Sequence, residues 1–164
     1  MVETKGTGAG LKGKSYYAPM TKIKLPATIE TLETLVAFVS KCAGEQGFNG
    51  TRIKEIELAT EEVLVNIVNY AYPERSGDVE VSCRREDVTG FVIEISDNGI
   101  PFDPLSLPEP DLSPDILDRK VGGLGVFFIR KMMDEVLYRR EEGSNIIRLT
   151  VNCMNNCKRS QVQG

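Results

Sequence analysis

The run Glu61-Glu62-Val63-Leu64-Val65-Asn66-Ile67-Val68-Asn69-Tyr70 puts a carboxylate and a carboxamide one helical turn apart in an otherwise apolar stretch. Residues four apart stack on one face of a helix, so Glu62 and Asn66 project toward the same neighbour. Ile56, Ala59, Val63, Ile67 and Tyr70 recur at helical spacing and predict the buried stripe, with Glu62, Asn66 and Asn69 on its flank. A polar set at that margin can hold a ligand, or it can be a solvated boundary. Asp97-Asn98-Gly99-Ile100-Pro101-Phe102-Asp103 is a second candidate. Asp97 has the parity of Phe91, Ile93 and Ile95 and so ends its strand facing the core, where a carboxylate costs desolvation unless it binds a donor. The same residue types also make ordinary strand-ending turns. Third, Gly122-Gly123-Leu124-Gly125 opens an apolar helix from Val126 to Met133, and amides at such a start can approach an anion, although a plain hinge has the same composition.

The elements that must position these groups follow from period and punctuation. Lys22 to Leu25 reads as a short strand closed by Pro26, and Thr28 as the cap of a helix burying Ile29, Leu32, Leu35, Val36, Val39 and Cys42. Asn49-Gly50-Thr51 turns into a second helix, from about Arg52 to Tyr72, stopped by Pro73. Val79, Val81 and Cys83, then Phe91, Ile93 and Ile95, alternate with polar residues as a hairpin. From Asp103 to Val121 the chain carries Pro104, Pro108, Pro110 and Pro114 among several acids, with Asp115 to Arg119 as a short helical turn. Irregular connections of that length in a compact domain are disordered or serve as lids. A last hairpin runs from Val136-Leu137-Tyr138 through a turn at Glu142-Gly143-Ser144-Asn145 to Ile146 to Val151, before a polar tail over 152–164.

Composition narrows the chemistry further. A chain of 164 residues with 41% hydrophobic and 27% charged content is one soluble globular domain. The net charge of −4 is scattered, without a basic block, which argues against nucleic acid as a partner. No apolar run approaches the roughly 20 residues of a membrane helix and no signal peptide is evident, so a cytoplasmic location is expected. Cys42, Cys83, Cys153 and Cys157 show no regular framework and are read as free thiols. Histidine is absent, which removes Ser-His-Asp and Cys-His schemes and leaves acid–base work to carboxylates. Residues 1–19 hold a false lead: Gly8-Ala9-Gly10-Leu11-Lys12-Gly13-Lys14-Ser15 matches a phosphate-loop pattern, yet no apolar strand precedes it and no helix former follows. A flexible leader is the expectation there.

Glu62-x-x-x-Asn66, then Asp97-x-Gly99-x-Pro101-Phe102-Asp103, then Gly122-Gly123-Leu124-Gly125 with its apolar helix resemble, in order and spacing, the nucleotide-binding boxes of the histidine-kinase-like (Bergerat) ATPases. The closest resemblance is to the anti-sigma-factor serine/threonine kinases of bacterial partner switching, over about Lys22 to Val151. It implies an α+β fold, a two-layer α/β sandwich with a mostly antiparallel sheet and helices on one face, over 20–151, with an ATP lid at 103–121. It further implies ATP and Mg²⁺ as bound groups, with Glu62 as general base and Asn66 as the magnesium ligand. Asp97 would accept the adenine amino group, with Gly99 leaving room for the base. Gly123 and Gly125 would offer amides to the phosphates. The implied nucleotide-contacting set is Asn66, Asn69, Asp97, Gly99, Pro101, Phe102, Gly122, Gly123, Leu124 and Gly125, with Arg119 and Lys120 near the γ-phosphate. Family members often carry histidine where this chain has Asn69, and asparagine cannot relay a proton.

The activity so implied is phosphorylation of a STAS-type antagonist, together with binding of a sigma factor and possible homodimerisation. Two other functions fit the same boxes. One is a non-catalytic, ATP-gated binding module working by population shift. The other is an ATPase with no protein acceptor.

Overall fold

The computed structural model describes residues 20–87, 90–106 and 124–156, the last two of these as backbone only. The leader with its phosphate-loop pattern, most of the expected lid including Arg119 and Lys120, Gly122, Gly123, Cys157 and the end of the tail lie outside the described residues.

The chain runs β1 (Thr21–Pro26), α1 (Ile29–Glu45), α2 (Gly50–Tyr70), β2 (Asp78–Glu86), β3 (Gly90–Asp97), a 3-10 turn (Pro104–Ser106), α3 (Leu124–Met132), β4 (Glu135–Glu141), β5 (Ser144–Asn152) and a closing 3-10 turn (Cys153–Asn156). The sheet order is β1-β2-β3-β5-β4 and every pairing is antiparallel. This is the α+β sandwich that the family resemblance implies, and the strand and helix order read from the sequence fits it.

Period two in the strands gives the sheet one apolar face. Val79, Val81 and Cys83 of β2, Phe91, Ile93 and Ile95 of β3, and Ile147, Leu149 and Val151 of β5 are buried in one core with Leu35 and Val39 of α1, Ile56, Ala59, Val63 and Ile67 of α2, and Ile129 of α3. The other face is charged, and Glu94 there accepts from Arg84 at 2.7 Å and Arg139 at 3.0 Å. Asn49 caps α2 by accepting the Arg52 amide at 2.8 Å. Arg52, nearly buried, reaches across to the Met132 carbonyl and, at 2.8 Å, to Asp134, tying the start of α2 to the end of α3. β4 and β5 are joined by a two-residue turn whose Glu142 and Gly143 have φ of 48° and 84°. Paired positive φ is the type I′ geometry that suits strand twist.

Three local expectations need correction. Ile29 is 61% exposed, because it is the first residue of α1 and lies about 120° around the helix from Leu35. Tyr70 is 50% exposed; its ring packs on Phe102, with centroids 6.0 Å apart, while Ile67 and Ala71 close the core at that end of α2. Asn145, read as a turn residue, is the second residue of β5 and is buried.

Candidate nucleotide site

The end of α2, the end of β3 and the start of β5 meet around one open cleft. Val63, Asn66, Ile67 and Ala71 form one wall, Phe102 and Pro104 another, and Asp97, Asn145 and Ile147 the floor. Strand parity delivers Asp97 to that floor on the core side, and it is only 5% exposed. Such a carboxylate needs donors, and it has them: its Oδ1 accepts the Gly99 amide at 2.8 Å and Asn145 Nδ2 at 2.9 Å. Its Oδ2 has no hydrogen-bond partner among the described residues and is left for a donor arriving in the cleft.

Asn145 is the organising side chain that the sequence does not announce. Its Nδ2 also donates to the Ile100 carbonyl at 2.9 Å, and its Oδ1 accepts from Arg140 at 2.7 Å, the Tyr138 hydroxyl at 2.9 Å and the Phe102 amide at 3.4 Å. One carboxamide thus ties β4, β5 and the loop after β3 together. The only signal for it was register: Asn145 pairs with Asp97 across the β3–β5 ladder. The loop is pinned on its other side by Tyr72, whose hydroxyl donates to the Asp78 carbonyl at 2.6 Å and accepts the Asn98 amide at 2.9 Å. Burial pushes the Tyr72 phenol above its ordinary value, against the opposing pull of that Asn98 bond.

Gly99 is required by the protein itself. A methyl group there would lie 2.3 Å from the Ala71 carbonyl oxygen, and the next amide, that of Ile100, donates to the same oxygen at 2.9 Å. The room at Gly99 is therefore taken by the end of α2. Asn66 lines the cleft and its carboxamide makes no hydrogen bond to any described residue, so its oxygen is available to a ligand. Glu62, one turn earlier, lies against the start of α3: a methyl group on Gly125 would come within 2.3 Å of its Oε2. That carboxylate too is without a hydrogen bond among the described residues.

Not every residue of the expected set gathers here. Asn69 is exposed on α2 and is not part of the cleft wall, Pro101 is exposed beside it, and Leu124 is 41% exposed. Asp103 instead organises the following 3-10 turn, where its Oδ1 accepts the Leu105 amide at 2.9 Å. Arg130 of α3 then holds the Leu105 carbonyl at 2.8 Å.

The sequence profile of the histidine kinase-like ATPase domain matches residues 25–151, from the end of β1 to the end of β5. The chain belongs to this family. Among characterised relatives it is similar to the serine-protein kinase RsbW of Bacillus thuringiensis strain Al Hakam and to that of Bacillus cereus strain 03BB102. Each is 26% identical over 130 residues, covering 77% of this chain and 81% of the relative. The fold is also similar to a crystal structure of the RsbU and RsbW domains of a Mycobacterium tuberculosis protein. That likeness has a TM-score of 0.59 and 20% identity, and it covers 82% of this chain and 32% of that one. Membership of the family implies ATP use, and Asp97 Oδ2 and the Asn66 carboxamide, both without a hydrogen bond among the described residues, have the chemistry to fit such a ligand. No described helix is long and apolar enough to cross a membrane.

Proposed function

We propose that this chain is an ATP-dependent protein serine/threonine kinase of a bacterial partner-switching system, phosphorylating a STAS-domain antagonist and binding a sigma factor in its other state, in the cytoplasm. The observation that carries this reading is Glu62: a carboxylate without a hydrogen bond among the described residues, one turn from Asn66 and set against Gly125. The likeness to serine-protein kinases named RsbW supports it.

The cleft residues divide the work. Asp97 Oδ2 accepts the amino group of adenine, its other oxygen being held by Gly99 and Asn145. Asn66 would supply an oxygen to Mg²⁺, a hard cation that would neutralise phosphate charge when bound. Leu124 and Gly125 open α3, and the amides of that helix start would hold the phosphates. Glu62 takes the proton from the acceptor hydroxyl as its oxygen bonds to the γ-phosphorus, and the bond from that phosphorus to the bridging oxygen breaks to release ADP. Holding the reactants in line supplies most of the acceleration, since phosphoryl transfer asks mainly for positioning and charge neutralisation.

The test is transfer of label from γ-labelled Mg·ATP to the STAS-domain protein encoded nearest to this chain. Labelled antagonist with wild type and none with Glu62→Ala is the expected result. Equal labelling by both proteins would overturn the role of Glu62. Mg·ATP binding without transfer would turn the reading to an ATP-gated binding module, and brisk hydrolysis without an acceptor to a simple ATPase.

A further inference from the structure

The seam between α2 and α3 presents apolar surface that the cleft does not use. Glu62 against Gly125, together with Arg52 reaching Met132 and Asp134, fixes the two helices as antiparallel neighbours. Counting back along α2 and forward along α3 from that crossing brings Leu58 level with Phe128, and it places Leu124 beside Glu62. Leu58 lies one turn before Glu62 on the same face, as Leu124 lies one turn before Phe128. Leu58 is 40% exposed, Leu124 41% and Phe128 38%, whereas Ala59, Val63, Val126 and Ile129 on the opposite flanks are buried. A single exposed leucine is ordinary surface, but three apolar side chains around one carboxylate that has no hydrogen bond among the described residues form a patch.

We propose that this notch docks the acceptor protein's phosphorylatable segment, which seats an apolar side chain between Leu58 and Phe128 and so delivers its serine or threonine hydroxyl to Glu62. The proposal rests on the kinase reading and names the acceptor surface of that same site. The occupant follows from the base: Glu62 has no hydrogen bond among the described residues, so the hydroxyl it serves arrives from outside, along the side where Leu58, Leu124 and Phe128 stand open. Leu58 and Glu62 are one helical turn apart, about 5–6 Å. The acceptor therefore carries its apolar anchor at a similar distance from its hydroxyl, three or four positions away in a helix or two in an extended strand.

The experiment compares wild type, Leu58→Gln, Phe128→Gln and the double variant with the STAS-domain protein encoded nearest to this chain. It measures Mg·ATP affinity, acceptor affinity by titration calorimetry, and phosphotransfer. The expected result is that the double variant weakens acceptor binding and raises the acceptor KM by about tenfold or more, the size of effect of losing a buried apolar anchor. Mg·ATP affinity and kcat at saturating acceptor stay within about twofold. Unchanged acceptor affinity overturns the proposal, as does a parallel loss of Mg·ATP affinity, which would assign the patch to nucleotide binding. If wild type binds this acceptor but transfers no phosphate, the kinase reading fails while the titration still decides the docking surface. No complex at all overturns both.

Discussion

Asn145 Nδ2 donates to Asp97 Oδ1 at 2.9 Å, between residues that stand opposite each other in the β3–β5 ladder. With the Gly99 amide on the same oxygen, Asp97 is held by two donors at the floor of the cleft, and its Oδ2 carries no hydrogen bond from a described residue. Preorganising a single acceptor in this way favours a ligand with an amino group there over one with a carbonyl.

Removing that support is the first prediction. Asn145→Ala leaves the Ile100 carbonyl and one Asp97 bond without their donor, so we expect a stability loss of about 1–3 kcal/mol and ATP affinity reduced about tenfold. Asn145→Asp goes further by setting a second carboxylate where the donor was. Its nucleotide binding should be weak at pH 7 and partly recovered on acidification, when one of the paired carboxylates takes a proton. Calorimetric titration with ATP across pH distinguishes the two variants.

Gly99 and Gly125 should separate stability from chemistry. At Gly99 an added methyl meets the Ala71 backbone oxygen at 2.3 Å, and backbone at the end of α2 cannot step aside cheaply. Gly99→Ala should lower Tm by several degrees, corresponding to about 1–3 kcal/mol of overpacking. At Gly125 the added methyl meets the Glu62 side-chain oxygen, which can swing away. Gly125→Ala should therefore keep Tm within about two degrees yet cut phosphotransfer by about tenfold or more, because the displaced group is the proposed base. Thermal melts and single-turnover transfer, taken together, check this contrast.

These glycines also show how far the sequence carries. The period of two in β2 and β3 gave the sheet face and put Asp97 on its core side, and the spacing of Glu62 and Asn66 gave their shared helical face. Both are local regularities, visible within one element. Asn145 was missed because its role depends on which strand β5 pairs with, and a hairpin signal fixes β4 against β5 but not β5 against β3. Tyr70 is misplaced for a related reason: helical spacing says which way a side chain points but not which segment, here the loop carrying Phe102, meets it there. The purpose of Gly99, approach to Ala71, is likewise a contact between elements that no single stretch encodes.

Arg52 offers a test of how α3 is held in place. It is 7% exposed and joins Glu55, the Met132 carbonyl and Asp134, and Asp134 in turn accepts the Asn152 amide at 2.8 Å. Arg52→Met keeps the stem but removes every donor, leaving the end of α3 without its clamp. We expect a loss of about 2–4 kcal/mol by urea unfolding, near the range for breaking a mostly buried ion pair by removing one partner. Arg52→Lys should recover only part of it, since an ammonium cannot reach the carbonyl and the carboxylates with a planar fork.

The charged face of the sheet should make the fold acid-sensitive through Glu94. Burial alone would raise its carboxyl, but hydrogen bonds from Arg84 and Arg139 outweigh this and hold it below its ordinary value. A carboxylate whose folded value is depressed stabilises the fold fully above its unfolded value of about 4.3 and loses that contribution as pH falls through the folded one. Glu94→Gln keeps the shape of the side chain and removes the titration. Its Tm should thus lie below wild type at pH 7, where Arg84 and Arg139 lose their shared anion, with the gap closing as pH drops below about 4. A gap that stays constant from pH 7 to pH 3 would mean that the network at Glu94 contributes shape but not charge, and the acid lability of the fold would then have to come from other carboxylates, such as Glu57 beside Lys54.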